Sequence, residues 1–251
     1  TAFSCTHATF LAMRGITGPP EVFEGNKGFM HSIAGPFHVD WDTENFNRIN
    51  RIEVKKYNAE GHSQQTVEGV LELQQAHGFS GADIDKIDIE TFDVAFSIIG
   101  GGEEGDKTNV RNKEEADHSL HYMVAVALLD GNIMPEQYKE DRIISPDVQD
   151  LLKKVSVQPN RSYTDRFPNE MATSIKITLK SGSSFVIEKT GYEGFHSSPM
   201  KWGTVVQKFK TLAKPYCDQS VQDEIISSVE NIETISVKEL IFPLTQVTVP
   251  D

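Results

Sequence analysis

The sequence predicts an α+β protein: a central sheet-and-helix domain set between two helical pieces. Strand-like alternation is confined to the middle of the chain, while apolar residues at helical spacing dominate both ends. In addition, Ser181-Gly182-Ser183 joins two alternating runs with the turn chemistry of a hairpin. Segregation of strands from helices argues for α+β rather than an alternating parallel sheet. The reading divides the chain into residues 1–45 (helical), 46–198 (α+β) and 199–251 (helices returning to the helical part).

Taken in order, residues 4–14 have helical character, with Phe10, Leu11 and Met13 apolar, and Gly15 to Pro20 break that helix. An irregular loop marked by Gly25, Gly28, Gly35 and Pro36 runs to about Trp41. Arg51 to Tyr57 alternates, with Ile52 and Val54 on one side and Glu53, Lys55 and Tyr57 on the other, which predicts a strand. Ser63 is placed to cap a helix that carries Val67, Val70, Leu71 and Gln74 and ends at His77-Gly78. Lys86 to Phe96 alternates again. A polar loop opens at Gly100-Gly101-Gly102, and no Gly-Lys-[Ser/Thr] follows to make it a phosphate loop. Beyond Pro146 come a short helix and a strand near Val155, then the hairpin strands Ser174–Lys180 and Ser184–Lys189. Trp202–Leu212 and Val221–Val229 follow as helices, and Ser236 caps a last short one.

The run from Glu114 to Gly131 predicts a buried helix, with Asp117 or Asn112 as N-cap and Gly131 as left-handed C-cap. Its opening turns carry titratable groups where a core helix normally has none. His118 and Tyr122, four residues apart, would share one face. An acid/base pair at a helix start, where unpaired N–H groups favour anions, suits chemistry on a carboxylate.

Composition narrows the function classes. With 251 residues the chain can bury a sizeable core. The net charge of −13 argues against nucleic acid, because no Lys/Arg stripe offsets it. No apolar run approaches a membrane span. Cys5 and Cys217 suggest neither a disulfide framework nor a metal spacing, so a reducing, intracellular setting is expected. No metal site is predicted: the eight histidines are scattered, and His118 with His121 is the nearest approach to a ligand pair. An anionic substrate would be repelled by the overall field, so its pocket must gather lysines and histidines locally.

Each candidate residue also has an ordinary structural explanation. Lys55 is either a solvated strand lysine or a compact cation for a carboxylate. His62 is either a loop histidine or an acid/base beside anion-binding N–H groups, with Glu60 free to orient it. Tyr122 is either a core tyrosine with a satisfied hydroxyl or a catalytic phenol. Ser119 is either a first-turn serine or a carboxylate donor. His118 would position substrate or Tyr122, whereas His121 could be exposed. His196 belongs to a domain-joining linker or to a pocket edge.

Four ordered motifs carry a family resemblance: Gly15-Ile16-Thr17-Gly18-Pro19-Pro20-Glu21-Val22-Phe23-Glu24-Gly25; Lys55-Lys56-Tyr57-Asn58-Ala59-Glu60-Gly61-His62-Ser63; Asp117-His118-Ser119-Leu120-His121-Tyr122 through Leu128-Leu129-Asp130-Gly131; and Gly194-Phe195-His196-Ser197, with Lys208-Phe209 after it. Together they resemble the MmgE/PrpD family of 2-methylcitrate dehydratases over nearly the whole chain. One departure shows, Asn58 where the family usually has Pro.

The resemblance implies that the end segments complete a largely helical domain begun by a half absent here, since the match is to the C-terminal half of longer proteins. A fragment, a processed product or one half of a split protein is therefore expected. It also implies a hydro-lyase that removes water from 2-methylcitrate in propionate catabolism (the methylcitrate cycle), without an iron–sulfur cluster or other cofactor. Lys55 and Tyr122 match active-site positions; His62 joins them as an acid/base candidate. Glu60, His118, Ser119 and His196 are candidate substrate contacts. Lys56 would face away. A small tricarboxylate partner, a homodimer and a cytoplasmic location (mitochondrial matrix in a eukaryote) are expected. The rivals are cis-aconitate decarboxylation or dicarboxylate epimerisation on the same scaffold, and a non-catalytic fragment or partner subunit.

Overall fold

The computed structural model describes residues 1–43, 45 and 47–248. The division made at residue 46 and the end of the segment closing at 251 fall outside them. The chain separates into two compact units, Thr1–Ile49 and Asn50–Asp251. In the first, the Ala2–Met13 helix buries no residue, and Phe3, Phe10 and Met13 are all exposed.

The second unit is α+β. Its four-stranded sheet consists of β1 (Ile84–Thr91), β2 (Val155–Pro159), β3 (Thr173–Leu179) and β4 (Ser184–Lys189), in the order β2-β1-β3-β4. β1 and β2 are parallel, whereas β3 is antiparallel to both β1 and β4. The parallel pair needs a long crossover, and residues 92–154 supply it, including helices Leu120–Asp130 and Pro146–Leu152.

Register explains why one face is buried. Val155, Ile87, Ile177 and Phe185 line up across the sheet as one row, and Val157, Ile89, Ile175 and Ile187 as the next. All point to the face covered by helices. Gln64–His77 lies against β3 and β4, Leu120–Asp130 lies against β2, and the two helices touch each other. The alternate rows, such as Ser156, Asp88, Lys176 and Val186, face the other way. Side-chain period 2 therefore sorts the sheet into an apolar and a mainly polar side. Leu120 through Leu128 are buried without exception, so this helix is the centre of the core.

Most predicted elements are present, with shifted ends. Thr173–Leu179 and Ser184–Lys189 form the hairpin, Trp202–Ala213 and Gln219–Glu230 are helices, and Ser236 caps Val237–Ile241 through a reciprocal bond with Glu239. Gly131, at φ 73°, ends the central helix in the left-handed conformation.

Three expectations are corrected. Residues 51–57 are not a strand: Ile52 and Val54 are exposed, and Val54 N–H donates to the Gly194 carbonyl at 2.8 Å without any ladder. Alternation without a neighbouring strand has nothing to pair with. The strand starting near Lys86 stops at Thr91 and turns into helical structure at Asp93. Finally, Glu114–Asp130 is two helices. Asn112 caps Lys113–Asp117, and Ser119 takes extended dihedrals and caps Leu120–Asp130 by accepting from the Tyr122 N–H at 3.1 Å. A serine that can serve as a cap competes with helix continuation.

Candidate functional site

A cavity of about 330 Å³ opens where three segments of the second unit meet, a volume within the usual span for small-molecule sites. Lys55, Asn58, Ala59 and Glu60 come from the loop before helix Gln64–His77. Lys113, Asp117 and His118 come from the short helix and the break after it, and Tyr138 from the turn Pro135–Tyr138.

The first wall is an irregular loop held by side chains instead of a ladder. Gln64 is wholly buried. Its Oε1 accepts from the Tyr57 N–H at 3.0 Å, and its Nε2 donates to the carbonyls of Tyr57 and Ala59 at 3.2 Å each. The Asn58 N–H donates to the Ile133 carbonyl at 3.0 Å, a bond that proline at this position could not make. Lys208 reaches across from its helix and donates to the Lys55 carbonyl at 2.5 Å. Burial and the neighbouring Lys55 charge hold the Lys208 ammonium below its ordinary pKa.

Glu60 caps the turn Gly61–Ser63 that leads into the helix. Its Oε2 accepts the His62 backbone N–H at 2.7 Å and its Oε1 meets His62 Nδ1 at 2.9 Å. Burial alone would raise the Glu60 pKa. The His62 bonds, aided by Lys55, outweigh it and hold the carboxyl below its usual range. With Nδ1 engaged by a carboxylate, Nε2 is the ring nitrogen left for proton transfer. Phe92 and Phe167 flank the imidazole, with centroids 5.6 and 6.0 Å away.

A second carboxylate–imidazole pair stands opposite: His118 Nδ1 lies 2.5 Å from Asp117 Oδ1. Among the described residues, no carboxylate forms an ion pair with Lys55 or Lys113. Two cations are thus available to an anion while Glu60 and Asp117 are occupied by histidines. This is the local gathering of charge that the net acidity requires. Among the described residues, no three His, Cys, Asp or Glu side chains converge as a metal-ligand set.

The structure brings Lys55, Glu60 and His118 into the lining of one cavity, with His62 tied to it through Glu60. It does not bring the others. Tyr122 is fully buried and its hydroxyl donates to the Gln137 carbonyl, so its phenol is spent within the core. The helix break at His118–Ser119 removes the shared face on which that pairing was based. Ser119 is buried too, donating to the Lys107 carbonyl at 2.6 Å while it caps the helix. His196 sits beside Phe195, its Nδ1 3.6 Å from Glu53, away from the cavity lining. His121, for which exposure was one option, is buried at 6% exposed. Lys56 turns to Glu68 and Glu193, at 2.9 and 3.0 Å.

Sequence reasoning missed Gln64, Lys113 and Tyr138. Gln64 had one available signal, a polar residue within the first turn of an amphipathic helix. Lys113 also had one, its place about a turn before Asp117 and His118, whereas Tyr138 had none, because its partners in the cavity are remote in sequence.

The model of the MmgE/PrpD C-terminal domain matches residues 57–234, and those residues include the cavity's Asn58, Glu60, Lys113, Asp117, His118 and Tyr138. The chain belongs to the MmgE/PrpD family. It is 30% identical over 246 residues to a 2-methylcitrate dehydratase of Cupriavidus necator, covering 91% of this chain and 49% of that protein. Against the 2-methylcitrate dehydratase of Escherichia coli K12 it is 28% identical over 193 residues, 72% of this chain and 39% of the other. A cis-aconitate decarboxylase of Mus musculus is 23% identical over 243 residues, 91% of this chain and 47% of the relative. The chain therefore spans about half the length of the curated relatives it matches.

Proposed function

We propose that this MmgE/PrpD chain forms part of a lyase acting on small polycarboxylates, and specifically of a 2-methylcitrate dehydratase. The observation that carries this reading is the cavity lined by Lys55, Lys113 and the carboxylate-backed His118, with His62 tied to its wall through Glu60; among the described residues neither lysine has a carboxylate partner. Dehydration needs a base to take a carbon-bound proton next to a carboxylate. It also needs an acid that protonates the departing hydroxyl as water leaves, and cations that neutralise enolate-like charge as the double bond forms. Lys55 and Lys113 supply the cations. His118, held by Asp117, and His62, held by Glu60, are the two proton carriers in this reading. Tyr122 is assigned to the core. The homodimer and a complementary helical half belong to the same proposal.

The similarity to a cis-aconitate decarboxylase over 91% of the chain favours one rival, removal of a carboxylate from a related unsaturated acid. An assay of the complete protein carrying this sequence separates the two. Loss of water from 2-methylcitrate supports the first reading; carbon dioxide release from cis-aconitate without any dehydration overturns it. Lys55→Met should lower kcat/KM at least 100-fold by removing charge stabilisation. The isolated chain is expected to show little or no turnover.

A further inference from the structure

Tyr138 has a buried hydroxyl without work inside the protein. The side chain is 7% exposed, and among the described residues its oxygen has no hydrogen-bond partner. A buried hydroxyl left unmatched is costly, and such groups call for a partner from outside the chain. Tyr138 lines the same cavity as Lys55, Lys113 and Asp117. Its neighbour Tyr122, with ring centroids 6.1 Å away, differs in this respect, because the Tyr122 hydroxyl is already bonded.

The surroundings specify what the phenol can meet. Burial, then the nearby Asp117 carboxylate, push its pKa well above the ordinary tyrosine value, so it is a neutral donor. The same carboxylate repels a ligand carboxylate from this part of the wall. A ligand hydroxyl fits both groups, since it accepts from the phenol and donates to Asp117.

We propose that Tyr138 is the residue by which this cavity recognises the hydroxyl of its ligand, selecting hydroxylated polycarboxylates over their deoxy analogues. This rests on the polycarboxylate reading above and deepens it. A site built to bond a ligand hydroxyl rejects the analogue lacking it, because its own polar group is then stranded.

The test uses the chain with tyrosines labelled with carbon-13 at Cζ, titrated with citrate, malate, tricarballylate and succinate. The Tyr138 signal, identified by its loss in Tyr138→Phe, should move with citrate and malate and stay still with the two deoxy acids. Tyr138→Phe should weaken citrate binding about tenfold or more and leave tricarballylate within about twofold. Its melting temperature should not fall, because no internal bond is lost. Movement with malate but no binding of either tricarboxylate sinks the tricarboxylate function and upholds the role of Tyr138. The proposal is overturned if the signal ignores all four acids, or if it moves equally with the deoxy ones. A Tyr138→Phe chain that melts lower and loses citrate and tricarballylate alike also overturns it.

Discussion

Glu60 grips His62 at both carboxylate oxygens, one on the backbone N–H at 2.7 Å and one on Nδ1 at 2.9 Å. One side chain thereby caps a helix entrance and aims an imidazole. Glu60→Ala should lower stability by about 1–2 kcal/mol, the usual loss for a cap that also carries charge. Chemical denaturation measures this. The folded pKa is held below the unfolded value, so the ionised carboxylate stabilises above the unfolded pKa, and this contribution fades as pH falls through the folded one. The stability gap between wild type and Glu60→Gln should therefore be present at neutral pH and close in acid. A gap constant down to pH ~2 would mean that charge has no part in it.

The core assignment of Tyr122 has its own consequence. Tyr122→Phe removes the donor to the Gln137 carbonyl and should cost about 1 kcal/mol in a denaturant titration. A phenol kept for catalysis alone would leave stability untouched on replacement.

His121 is buried with Nδ1 unpartnered among the described residues, and burial pushes its pKa down to about 4 against the opposing pull of Asp106. Between pH 6.5 and about 4 the unfolded chain binds this proton and the folded chain does not, so stability falls on acidification through that window. The effect is on the order of 3 kcal/mol at its limit. In His121→Phe that part of the stability–pH curve should flatten; an unchanged slope would show that other groups produce it.

Gly194 lies at φ 116°, and a Cβ there would sit 2.1 Å from the Val54 carbonyl oxygen. Gly194→Ala should destabilise by about 1–3 kcal/mol or more, from the dihedral and the clash together. Because Val54 precedes Lys55, the same substitution should also weaken citrate binding. Loss of stability with citrate affinity unchanged would show that Lys55 is placed by Lys208 and Gln64 without help from Gly194.

Much of the fold was legible because it is local. The alternation in residues 174–179 and 184–189, the Ser236 cap and the Gly131 stop each depend on neighbours a few positions away. The strand expected at 51–57 failed for the complementary reason: alternation shows which side chains share a face, and a strand also needs a partner ladder. The helix expected to run unbroken through His118 failed because Ser119 had two uses, and only packing chose between helix interior and cap.

The sequence by itself determined most element types, the buried central run and the family resemblance, and it named Lys55, Glu60 and His118 among the candidate site residues. Tertiary structure decided which of them meet. It sent the Tyr122 hydroxyl to Gln137 and His196 to Glu53, and it set Tyr138 beside Asp117 in their place. The reason is geometric: backbone periodicity fixes a side chain's direction relative to its own element, whereas a cavity is defined by what stands across from it.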